Sequence, residues 1–194
     1  MRSGLRIGLI ADTHMPGAIR ELWPQVYAAF DGVDLVLHGG DLHTLEIVDR
    51  LGELAPTHVS AGNGDVGLSD PRLRDTWTFE LGGVHLGMIH RFPMPGRKPR
   101  EHLDRYAERH FGALPQVVIF GHTHQESLHR DGDRLYINPG SPTLPQNQAL
   151  RPGTIGLLEI HGTAMTATLL QLTGHGAEPH PSIAPLSVAI GAIA

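Results

Sequence analysis

Seven side chains able to bind a metal, Asp12, His14, Asp41, Asn63, His90, His122 and His124, stand just after apolar, strand-like runs of this 194-residue chain. The densest group is Gly121-His122-Thr123-His124, which directly follows Val117-Val118-Ile119-Phe120. Two imidazoles two residues apart past the end of a strand fill a core badly, but they can hold a cation at a sheet's edge. Taken singly, the pieces are ordinary. Asp12-x-His14 reads as a cap or turn, Gly40-Asp41 as a turn, and Asn63 between two glycines as a left-handed turn residue. Their ordered recurrence, each after its own apolar run, points instead to a pocket for two metal ions. A carboxylate can bridge two cations and a neutral imidazole cannot. Asp41, on a glycine-flanked loop, is therefore the better shared ligand.

The elements that must position these groups can be read from the apolar spacing. Gly8 to Ala11, Asp34 to His38 and Thr57 to Ala61 read as strands, separated by helical stretches over Ile19–Phe30 and Thr44–Leu54. That order predicts a largely parallel sheet covered by helices. Three hairpins follow: Thr76–Leu81 with Val84–Ile89, Ser127–Arg130 with Leu135–Asn138, and Thr154–Ile160 with Ala164–Leu170, each around a glycine turn. Between them lie a loop over Pro93–Arg100, a polar helix over Arg100–Phe111 and a buried strand over Val117–Phe120. The later half thus reads as antiparallel. In open α/β sheets functional groups gather beyond the carboxyl ends of strands, so strands sharing one sheet would let the seven side chains converge.

Composition narrows the chemistry. The chain has no cysteine, which excludes disulfides, thiolate ligands and thiol nucleophiles together. Imidazole, carboxylate and amide remain, a ligand set that suits Mn, Zn, Fe or Ni. The formal charge of −5 supplies no global basic field, so bulk nucleic-acid binding is not favoured. No run reaches the ~18 apolar residues of a membrane span, and the N-terminus lacks the pattern of a cleaved leader. A cytoplasmic protein is expected. Residues 1–173 are expected to form one domain, and the Pro-, Ala- and Gly-rich residues 174–194 a loosely held tail.

Asp12-x-His14, Gly40-Asp41, Gly62-Asn63, His90 and Gly121-His122-x-His124 match, in order, the signature of the calcineurin-like metallophosphoesterases. With Tyr136-Ile137-Asn138-Pro139-Gly140-Ser141, the chain most resembles the YfcE-type small phosphodiesterase branch, to which the retromer's metallophosphoesterase-like subunit is also similar. The resemblance spans roughly residues 5–170. It implies an α/β fold, a four-layer double β-sheet sandwich with mixed sheets flanked by helices on both outer faces. It also implies that Asp12, His14 and His124 hold one divalent ion, that Asn63, His90 and His122 hold the other, and that Asp41 bridges them. Such ions lie about 3.5–4 Å apart and activate a hydroxide that attacks phosphorus. Hydrolysis of a small phosphodiester with Mn is the expected activity, catalysed through Asp41, Asn63 and His122. A phosphomonoesterase or nucleotide phosphohydrolase, or a catalytically weak protein-interaction scaffold, is the alternative, and a homo-oligomer is left open.

The chain departs from the family pattern twice. Many relatives carry a proton-donating His after the metal-binding Asn, where this chain has Gly64. Asp65 and His43 are the candidate substitutes, each also readable as a turn or helix-start residue. Close relatives often have Gly after the metal-binding His, where this chain has Arg91. An arginine there could grip a substrate phosphate or stand as a solvated loop charge. Asn138–Ser141 reads as a structural turn near the site.

Overall fold

The computed structural model describes residues 4–189. Two mixed sheets pack face to face. In the first, β1 (Gly4–Ile10), β2 (Leu35–His38), β3 (Thr57–Ser60) and β4 (Leu73–Arg74) run parallel. On the other side of β1 come β10 (Gly153–His161) and β11 (Ala164–Leu172), both antiparallel to their neighbours. The second sheet has the order β5-β6-β7-β9-β8, from β5 (Thr76–Leu81), β6 (Val84–Ile89), β7 (Val117–Ile119), β8 (Ser127–Asp131) and β9 (Arg134–Asn138).

Side-chain alternation builds the layers, because successive strand residues face opposite sides. Ile7 and Leu9 of β1 meet Leu86 and Met88 of β6 and Val117 and Ile119 of β7 between the sheets. The opposite face of the first sheet, including Ile10 and Val36, packs under α1 (Pro24–Ala29) and α2 (Glu46–Gly52), which contribute Val26, Ile47, Val48 and Leu51. Val118 and Tyr136 on the outer face of the second sheet lie against Leu103 and Ala107 of α3 (Arg100–Phe111). This is the four-layer sandwich expected. No helix is long and apolar enough to cross a membrane.

Three expectations change. The helix read over Ile19–Phe30 occupies only Pro24–Ala29, because proline at the first position of a helix cannot continue one that began earlier. The later half is not simply antiparallel, since β6, β7 and β9 run parallel and antiparallel strands flank them. The segment after Gly174 also adds strands to the first sheet. There β12 (Ala177–Pro179) and β13 (Leu186–Ala189) each pair with β11, and Val188 enters the inter-sheet core. Alternation of Leu186 and Val188 with Ser187 carries that signal, which average composition conceals. Residues 190–194 of that segment lie outside the described residues.

Candidate metal centre

The two parallel runs aim their carboxyl ends at one place. Asp12 and His14 follow β1, Asp41 follows β2 and Asn63 follows β3, all on the first sheet; His90 follows β6, and His122 and His124 follow β7, on the second. The side chains therefore converge from two sheets rather than from one. Close approach of the sheets requires glycine. A Cβ at Gly121 would lie 2.9 Å from both Ala11 Cβ and Asp12 Oδ2.

The local backbone is strained in the same place. Six non-glycine residues have positive φ among the described residues: Asp12 (54°), His14 (45°), Asp41 (59°), His43 (70°), His122 (70°) and His124 (54°). The left-handed region costs an L-residue about 1–2 kcal/mol. All six belong to the candidate centre or touch it, and strain of this kind clusters at functional sites.

Potential ligand atoms of Asp12, His14, Asp41 and His124 lie within 4.8 Å of one another, as do those of Asp41, His90 and His122. Asp41 is common to both groups. Its Oδ2 is 3.5 Å from His14 Nε2 and 3.5 Å from His90 Nε2, while His14 Nε2 and His124 Nε2 approach to 3.1 Å. Carbonyl groups fix two of the rings. His90 Nδ1 donates to Gly39 O at 2.6 Å and His124 Nδ1 to Leu144 O at 2.7 Å. A carbonyl only accepts, so Nδ1 carries the proton and Nε2 keeps its lone pair for a cation, the usual arrangement behind a metal-binding imidazole.

The donor set fits divalent ions. Asp12 is fully buried and its Oδ2 has no hydrogen-bond partner. Burial first, then the charge of Asp41, pushes the Asp12 carboxyl well above the usual carboxylate range, and a bound cation would reverse both effects. Burial is also the main cause that lowers the pKa of His14 and of His122, keeping both rings in the neutral form that can ligate. Asn63 opens a short 3-10 turn (Asn63–Asp65) against Asp41, with its side chain exposed.

Residues 5–163 match the calcineurin-like phosphoesterase superfamily domain. The chain belongs to that superfamily. A probable metallophosphoesterase of Methanothermobacter thermautotrophicus is 37% identical over 167 residues, covering 85% of this chain and 91% of that protein. Vacuolar Protein Sorting 29 from Cryptosporidium parvum shares the fold at a TM-score of 0.77 and 19% identity, over 97% of this chain and 100% of that one. Vps29 from Entamoeba histolytica, solved in complex with Zn2+, is 26% identical, with a TM-score of 0.68 over 96% of this chain and all of that one.

Within this phosphoesterase chain the three remaining candidates fall in different places. Asp65 is buried and accepts backbone N–H groups from Asp41, Leu42, His43 and Gly62, at 2.6–3.0 Å. Both oxygens are occupied, so it fastens the Asp41 loop to its own loop and has no free oxygen to offer a substrate. His43 is exposed, its Nε2 lies 2.9 Å from His14 Nδ1, and a Cβ on Gly64 would run into that same Nε2. The His43 ring thus fills the space that a side chain at position 64 would take. Arg91 lines a cavity beside His122. The Asn138–Ser141 turn clamps the centre from behind: Asn138 Nδ2 donates to Gly121 O at 3.0 Å, and Ser141 Oγ to Asp12 O at 2.7 Å. The carbonyls of Gly39 and Leu144 had no signal in the sequence, because every residue carries one.

Proposed function

We propose that this chain is a divalent-metal-dependent phosphoesterase that hydrolyses a small phosphodiester, with Mn the preferred ion. The observation that carries the reading is Asp41, the one carboxylate common to both ligand groups, with a single oxygen 3.5 Å from a histidine of each. Asp12, His14, Asp41 and His124 would hold one ion, and Asp41, Asn63, His90 and His122 the other. Bound ions would neutralise phosphoryl oxygens and acidify a water. The chain itself fixes the orientation of its imidazoles through Gly39 O and Leu144 O. It also sets His43 at the surface beside Gly64 and against His14, which makes His43 the candidate to protonate a leaving group.

Purified protein titrated with Mn2+ should hydrolyse an aryl phosphodiester. Asp41→Asn should lower kcat/KM by about a hundredfold or more, beyond what loss of a partner behind a ligand costs. Equal rates with and without the ion would overturn the reading. A protein-interaction scaffold is the second reading, favoured by the fold shared with Vps29 along almost the whole chain. Partner binding that survives Asp41→Asn, with no hydrolysis to lose, would select it.

A further inference from the structure

Arg91 follows His90 directly and stands on the wall of a cavity of about 360 Å3 lined also by Phe92, Pro93, Tyr106 and His122. His122 belongs to both places: one side faces His90, with Nδ1 3.2 Å from His90 Nε2, and the ring also forms a cavity wall. The cavity therefore begins where the metal centre ends.

Its floor is packed and its cation has no ion-pair partner among the described residues. Phe92 is buried, packed edge-on by Tyr106 at 5.3 Å and flanked by Phe120 at 5.8 Å. Tyr106 Oη donates to the Arg91 carbonyl at 3.1 Å, which pins the backbone and leaves the guanidinium exposed. Among the described residues Arg91 forms no ion pair. Arg100, on α3 close by in sequence, contrasts with it, since it pairs with Asp104 at 3.7 Å and Asp131 at 3.3 Å. With divalent ions held by Asp12, Asp41 and the histidines, the centre would carry net positive charge beside the exposed Arg91 guanidinium. An anion entering between them would then be attracted from both sides.

We propose that this cavity receives the non-reacting end of the substrate, and that this end carries a second anionic group, a phosphate or a carboxylate, gripped by the Arg91 guanidinium. The inference rests on the phosphoesterase reading above and names its substrate class: a phosphoester bearing a second anion beyond a ring-sized spacer that lies on Phe92, Pro93 and Tyr106. The volume suits one such arm, at the small end of the ~300–1,000 Å3 common for ligand pockets. Guanidinium matches either anion with paired N–H donors.

The test compares thymidine 5′-(4-nitrophenyl) phosphate with its 3′-phosphorylated and 3′-O-carboxymethyl forms, using Mn-loaded protein. The wild type should prefer at least one charged form by about tenfold or more in kcat/KM, the scale of a charge-assisted contact. The arm that gains tells phosphate from carboxylate. In Arg91→Ala the preference should collapse to near one, with Arg91→Lys between. A wild type that shows no preference, or an Arg91→Ala that keeps it, overturns the proposal. Calorimetry with thymidine 3′,5′-bisphosphate against thymidine 5′-phosphate reads the cavity without turnover. If no ester is hydrolysed, the phosphoesterase reading fails, while tighter binding of the bisphosphate that is lost in Arg91→Ala still supports the subsite.

Discussion

His43 and Gly64 lie on different loops and compete for one volume, so their effects must be coupled. His43→Ala should slow hydrolysis of an alkyl phosphodiester by about a hundredfold, the scale of lost proton donation, and slow a nitrophenyl ester far less. Gly64→His alone should force the two rings together and disturb the Asp41 loop. The double variant His43→Ala with Gly64→His should recover alkyl-ester activity. Equal losses on both esters in His43→Ala would sink this assignment. The sequence shows which residues can bind metal, because ligand chemistry belongs to the side chain. It does not show that Asp65 spends both oxygens on backbone amides, or that the His43 ring stands at position 64. Those depend on how two loops pack, and nothing in residue type encodes it.

At the scale of elements, β6 has a glycine where its outer face meets α3. A Cβ on Gly87 would lie 2.9 Å from the Phe111 ring. Gly87→Val should therefore destabilise the fold by about 1–3 kcal/mol through overpacking, and Phe111→Leu in the same chain should restore part of it. Urea unfolding of the three proteins decides it, and an unchanged midpoint in Gly87→Val would refute the packing. The hairpins and the helix Arg100–Phe111 were legible because their apolar spacing and glycine turns are local. The parallel pairing of β6, β7 and β9 was not, since it joins strands far apart in sequence. The short length of α1 was legible in principle from Pro24, whose ring stops a helix from arriving from its N-terminal side.

At the scale of the whole molecule, the buried His38 ties stability to pH. Gly40 N–H donates to its Nδ1 at 3.0 Å, so Nε2 carries the proton and donates to Thr13 Oγ1 at 3.2 Å. Burial pulls its pKa down from 6.5 to about 4. As pH falls below 6.5 the unfolded chain takes up a proton that the folded chain refuses, so stability drains away between pH 6.5 and about 4, by a total on the order of 3 kcal/mol. Asp12, shifted upward, works with the opposite sign. The comparison with His38→Gln is therefore what isolates the histidine: in metal-free buffer its urea midpoint should fall less than the wild type's between pH 7 and pH 4. Parallel declines would refute it.

Six left-handed residues at one spot also make the fold readable as a record of use. Glycine would sit at any of these positions with less strain, so the aspartates and histidines there are held in place by the surrounding packing and hydrogen bonds at a cost to the backbone. A relative that had retired its chemistry and lived as a docking platform would be free to let the same turns drift to glycine. In this chain, then, the strained turns and the candidate ligands are the same residues, so a glycine put at any of the four histidine positions should relieve the backbone while removing a ring from the centre or its edge.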